Sequence, residues 1–169
     1  RTVKYADPQN PNSHQLPAKH KLHEQSLNVQ GTVLWYAAAV VNNPGNYAKL
    51  LQNNYWRYPA LQPLMPFIDD KAPKKPRSLK VSWSDDGCLL YWKAPKGKGW
   101  ENEAYKYVVY RFGPDEEIDL DNPTKIVAIT YQPALRLNYN GGETKYTYVV
   151  TALDRMSNES VGKKKKIRL

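Results

Sequence analysis

The chain has 169 residues and a net charge of +9, with 41% hydrophobic and 24% charged residues. That composition excludes a disordered polymer and leaves room for one domain or two small ones. No apolar run approaches the ~20 residues of a membrane-spanning helix. The lone Cys88 excludes an internal disulfide and a cysteine-based metal site.

The chain opens on Arg1 without a visible signal peptide, which predicts a processed or excised segment. Residues 1–14 are polar and marked by Pro8 and Pro11, and predict a loop. Residues 15–27 predict a helix with Leu16, His20, His23 and Leu27 on one face. Two histidines three apart could begin a metal site. No third ligand is spaced for one, so no metal is expected, and the histidines read as half-buried packing residues.

Residues 31–66 are the most structured stretch of the first half. Val33 to Val41 is apolar without a break and includes Trp35 and Tyr36, which predicts a strand covered on both faces. Asn43 predicts a helix cap and Pro44 a first helical position. Tyr47, Leu50, Leu51 and Tyr55 then share one helical face, and Pro59, Pro63 and Pro66 forbid continuation. The result is a β-then-α unit without neighbouring strands. Ile68 to Arg77 is charged and proline-rich, and predicts a semi-rigid linker over 69–77.

From Ser78 the pattern changes to period two. Seven strands are expected, at 78–84, 88–94, 104–112, 124–131, 134–139, 145–153 and 161–169, each bounded by Gly, Pro, Asn or Asp. Such spacing predicts a seven-stranded antiparallel sandwich, so the chain is mainly β. Leu79, Val81, Trp83, Leu90, Trp92, Tyr107, Val109, Tyr146, Tyr148, Val150 and Ala152 alternate into the expected core, with Trp92 at its centre. Cys88 falls in a strand and reads as a buried, inert thiol. The one run of positive charge, Lys163–Lys166, alternates along the last strand and reads as edge protection rather than a nucleic-acid site. Asn158-Glu159-Ser160 is formally a glycosylation sequon.

The second half resembles a fibronectin type III domain. Leu90-Tyr91-Trp92-Lys93-Ala94-Pro95 matches that family's second-strand pattern, and Tyr146 to Ala152 its sixth. The resemblance implies a structural role for Trp92 and a tyrosine-corner role for Tyr146, its hydroxyl tying back to upstream backbone.

Residues 31–66 resemble the end of the barrel in bacterial glycoside-hydrolase-family-10-like surface lipoproteins. The residues that carry it are Gly31, Trp35-Tyr36, Asn43-Pro44 and Tyr58-Pro59-Ala60-Leu61 with Pro63. Residues 1–68 would then be a C-terminal fragment of a TIM barrel and 78–169 the appended sandwich. The resemblance implies a polysaccharide substrate for the parent barrel, no cofactor, and an extracytoplasmic location at the bacterial surface or periplasm. Hydrolysis there needs a carboxylate pair. The first half holds only Asp7, Glu24, Asp69 and Asp70, none at the end of the expected strand. No catalytic residue is therefore assigned in this chain, and the pair is expected upstream of Arg1.

Trp35 and Tyr36 read as packing residues of the barrel or its helix layer, with sugar contact by the barrel fragment as the alternative. Trp100, in the glycine-rich loop after Lys96, reads as a lid on the sandwich core or, with Tyr105, as a contact of a sandwich acting as a carbohydrate- or protein-binding module. The apolar surface of an unclosed barrel fragment predicts self-association, most simply a homodimer.

Overall fold

The computed structural model describes residues 19, 21–23, 25–29, 31–33, 38–43, 46–85, 87–97, 99 and 103–169. Trp35, Tyr36, Trp100, His20 and Pro44 lie outside the described residues. The chain divides into two compact units, Arg1–Tyr58 and Pro59–Leu169.

In the first unit, Lys19 and residues 21–23 are helical, but the helix expected over 15–27 is corrected at its end, where residues 25–27 are not helical and Leu27 is exposed; residues 15–18 lie outside the described residues. His23 turns its Nδ1 to the Thr32 hydroxyl at 2.9 Å. The strand expected over 33–41 is corrected over 38–41, while residues 34–37 lie outside the described residues. Ala38–Val41 forms a short helix, α1, while Val33 and Val41 are exposed. Among the described residues of this unit there is no strand to pair with. An extended segment would leave its backbone polar groups without a ladder, whereas a helix satisfies them internally, and alanine favours it.

Helix α2 spans Tyr47–Asn54 and buries Leu51. Its N-cap is Asn46 in the left-handed region, not Asn43. Asn43 still serves the helix start, because its Oδ1 accepts from the Ala48 amide at 2.8 Å.

The second unit is an antiparallel sandwich. Strands β1 (Arg77–Ser84), β2 (Gly87–Lys93) and β5 (Ala134–Leu137) form a sheet in the order β1-β2-β5. Strands β3 (Lys106–Phe112), β4 (Ile126–Thr130), β6 (Lys145–Leu153) and β7 (Lys163–Arg168) form the other, in the order β4-β3-β6-β7. Three strands facing four, with this crossing order, is the sandwich architecture expected from the sequence. The β1–β2 turn needs Gly87, whose φ is 112° and where a Cβ would stand 3.1 Å from the Leu137 carbonyl.

Between the sheets lie Leu79, Cys88, Leu90, Trp92, Tyr107, Val109, Tyr148, Val150 and Ala152, joined by Leu137, Ile167 and Leu169. Each large side chain buried there contributes about 1.5–3 kcal/mol. Trp92 meets Tyr107 edge-on at 5.3 Å, and its buried indole nitrogen has no hydrogen-bond partner among the described residues. Burial raises the Cys88 thiol above its ordinary pKa, in keeping with an inert core thiol. Trp83 is corrected from the expected core. It belongs to the last pair but one before the hairpin, opposite Cys88, and is half exposed, with Tyr139 edge-on to it.

A second apolar cluster covers the opposite face of the four-stranded sheet. Val108, Tyr110, Phe112, Ile126, Val149 and Leu153 are buried there, with Leu61 and Leu120 packed on them. The stretch ahead of β1 thus packs on the sandwich. Pro73 and Pro76 are buried, and Asn158 Nδ2 donates to the Asp69 carbonyl at 3.0 Å.

Candidate functional site

The register of β3 against β4 sets Tyr107 opposite Thr130. The residue two before Tyr107 and the residue after Thr130 are therefore brought side by side at the sheet's end. These are Tyr105 and Tyr131, whose rings meet edge-on at 5.3 Å while both stay substantially exposed. The Tyr105 amide donates to the Leu153 carbonyl at 2.7 Å, which fixes one ring to the rigid sheet. Lys106 Nζ lies 5.5 Å from one ring centroid and 5.7 Å from the other. The Arg155 guanidinium, on the loop after β6, lies 4.6 Å from the Tyr105 ring. A hollow of about 220 Å³ opens beside them, lined also by Leu61, Gln62, Ile129 and Asp154.

The arrangement offers aromatic surface beside fixed cationic donors, which suits a polar ligand with apolar faces. The carboxylate that lines the hollow, Asp154, is already engaged. Asp154 Oδ1 accepts from the amides of Met156 and Asn158 at 2.8 and 2.9 Å, and its Oδ2 accepts from Asn158 Nδ2 at 2.9 Å. That carboxylate is occupied in shaping the loop.

Three other carboxylates of the sandwich, Glu116, Asp119 and Glu159, also have structural tasks. Glu116 pairs with Lys125 and accepts from the Gly113 amide, and these contacts hold its carboxyl below the ordinary value. Asp119 accepts from the Asp121 amide. Glu159 Oε1 accepts from the Tyr110 hydroxyl at 2.7 Å and the Thr151 hydroxyl at 2.5 Å. Burial, followed by this bond, raises the Tyr110 phenol far above its ordinary pKa. No cluster of three or more His, Cys, Asp or Glu suited to a metal ion occurs among the described residues.

Of the residues singled out in the sequence, Trp35, Tyr36 and Trp100 lie outside the described residues. Trp92 is central to the core. Tyr146 is half-buried at the core's edge, but the expected backbone tie is corrected. Among the described residues its partners are the Tyr148 ring at 6.4 Å and the Arg111 guanidinium, 4.9 Å above its face. Arg111 opposes Tyr148 on β6, two residues along from Tyr146, so the cation reaches the ring across the ladder. Asn158 of the sequon is buried with both amide bonds used, which leaves no room for a glycan. Tyr131 was not singled out. Its signal lay in the strand register, since a tyrosine ending one strand faces a tyrosine beginning its neighbour.

No family model matches the chain. It is 32% identical over 146 residues to the glycosyl hydrolase YngK of Bacillus subtilis (strain 168), covering 85% of this chain and 28% of YngK. The chain thus spans less than a third of that relative's length. A match over 85% of the chain is longer than either unit, so it runs from one into the other. Among solved structures the chain is similar to an Fn3-like protein from Clostridium thermocellum, with 23% identity over 57% of this chain and 92% of that one, TM-score 0.40. It is also similar to the glycoside hydrolase domain of Endo-D from Streptococcus pneumoniae R6, with 15% identity over 59% of this chain and 16% of that one, TM-score 0.37. The twitchin kinase region of C. elegans gives 13% identity over 59% and 17%, TM-score 0.46.

Proposed function

We propose that the chain is the C-terminal portion of a glycoside hydrolase, and that its sandwich packs and positions polysaccharide rather than cutting it. The observation that carries this reading is the 32% identity to a glycosyl hydrolase across both units. In this reading residues 1–68 end a catalytic barrel, the carboxylate pair that protonates the glycosidic oxygen and assists its departure lies upstream, and the protein works outside the cytoplasm. Asp154, Glu116 and Glu159 of the sandwich are engaged in turns and hydroxyl bonds, which accords with a supporting role for those three.

The test compares the 169-residue chain with the gene product extended upstream to the length of the relative. Release of reducing ends from a panel of polysaccharides is expected from the longer protein alone. Stoichiometric hydrolysis by the 169-residue chain, or none by the longer protein on any glycan, overturns the reading.

The exposed Tyr105–Tyr131 pair favours a glycan-holding role for the sandwich over a mere spacer. Tyr105→Ala with Tyr131→Ala is expected to weaken glycan binding about tenfold, or ~1.4 kcal/mol, with an unchanged circular dichroism spectrum. Unchanged affinity returns the sandwich to a spacer.

A further inference from the structure

We propose that a second cleft on the sandwich binds the anionic groups of an acidic polysaccharide, one whose sugars bear carboxylates or phosphates. The inference rests on the carbohydrate reading above and adds a site and a charge class to it.

The cleft has a volume of about 520 Å³ and lies between the segment ahead of β1, the loop after β2 and the approach to β7. Lys74, Lys75, Arg77 and Lys96 line it, with a single carboxylate, Glu159. Among the described residues no ion pair joins these four cations to that carboxylate, whose Oε1 accepts from the Tyr110 and Thr151 hydroxyls. The walls are set by the fold. Pro73 and Pro76 are buried and stiffen the segment that carries the lysines. Arg77 Nε donates to the Ala94 carbonyl at 2.9 Å, tying that segment to the loop that carries Lys96. Its terminal nitrogens keep the forked geometry that suits carboxylate or phosphate.

The wall is mostly apolar. Ala72, Pro73, Val161 and the aliphatic stems of the lysines suit the C–H face of a sugar ring, while Lys74, Lys75, Arg77 and Lys96 are all exposed, and their charged ends suit an anionic substituent of that ring. A volume of this order is in the usual range for ligand sites, roughly 300–1,000 Å³. The same list argues against a polynucleotide. Single strands are held by base stacking on aromatic rings, and no described residue lining the cleft is aromatic. The lysines of β7 are a separate feature of the sheet edge and do not line the cleft.

The test uses the 169-residue chain and affinity electrophoresis in gels containing polygalacturonate, dextran, or single-stranded DNA. Retardation by polygalacturonate but not by dextran is expected. Lys74→Gln, Lys75→Gln and Lys96→Gln together should weaken it about tenfold, since each phosphate- or carboxylate-neutralising lysine contributes through counterion release. The same three positions changed to Arg should retain it, which separates lost charge from lost fold. Changing Lys163–Lys166 to Gln should leave it within about twofold.

Equal loss from the cleft and β7 variants would reduce the effect to net charge and overturn the proposal. So would no retardation by polygalacturonate, or tighter binding of DNA through the same three lysines. These results leave the hydrolase reading standing, because that reading is judged separately by reducing-end release from the longer protein.

Discussion

Asn158 is the point where the segment ahead of β1 is pinned to the sandwich, and Asn158→Ala should release it. The side chain is buried and donates twice, to the Asp154 carboxylate at 2.9 Å and to the Asp69 carbonyl at 3.0 Å. Alanine removes both donors and leaves the carboxylate, itself 3% exposed, short of one partner. A bond to a charged group is worth about 1.5–3 kcal/mol and a neutral one about 0.5–1.5 kcal/mol, so the expected loss is about 3 kcal/mol. For a chain of this size that lowers Tm by about 6–12 °C. Near-ultraviolet circular dichroism during thermal unfolding measures it. Limited trypsin digestion gives a second readout, because Lys71 and Lys74 follow the pinned carbonyl and should be cleaved earlier in the variant. Asn158→Asp keeps the shape but sets a second carboxylate against Asp154, and should be at least as damaging. A Tm within ~2 °C of the parent for Asn158→Ala, with unaltered proteolysis, would refute the pinning argument.

Three further outcomes are expected. Gly162→Ala should cost about 1–3 kcal/mol, because a Cβ there overlaps Val149 Cγ1, and Val149→Ala in the same chain should recover part of the loss in a double-mutant cycle read by urea unfolding. Tyr107, Tyr110 and Tyr148 all have phenol pKa values raised by burial above the ordinary value of 10.0. The folded state therefore holds protons that the unfolded state releases, so stability is full below pH 10 and falls above it by up to about 1.4 kcal/mol per pH unit for each phenol. Alkaline titration followed by tyrosinate absorbance should show ionisation coinciding with unfolding, and early reversible ionisation of all the tyrosines would contradict this. A chain beginning at Arg77 should lose about 2 kcal/mol and bind an apolar dye, because Leu61 no longer covers the outer face of the four-stranded sheet.

The sandwich was legible in the sequence because its physics is local and periodic. A strand with one face inward writes its own pattern, and the turns between strands need Gly, Asn, Asp or Pro. Leu79, Leu90, Trp92, Val109, Val150 and Ala152 were therefore placed in the core from alternation alone. Alternation failed where a third layer intervened. Val108, Tyr110, Phe112 and Val149 face away from the sheet–sheet core yet are buried, because Leu61 and Leu120 return from distant sequence to cover them. An apolar run without neighbours carried no such information. Over Val33 to Val41 the pattern fits a buried strand or a helix equally, and the choice depends on whether a ladder partner exists. At Ala38–Val41 the backbone closed its own hydrogen bonds instead.

The candidate sites divide in the same way. The sequence by itself determined that aromatic and basic residues are plentiful, that Trp92 is core and that Lys163–Lys166 lie on a terminal strand. Only the tertiary structure decided that Tyr105 meets Tyr131 under Arg155, that Asp154 and Glu159 are committed to internal bonds, and that Lys74, Lys75, Arg77 and Lys96 share one cleft. A side chain's chemistry is written in its identity, whereas its neighbours come from strand register and loop return, which join residues far apart in the chain.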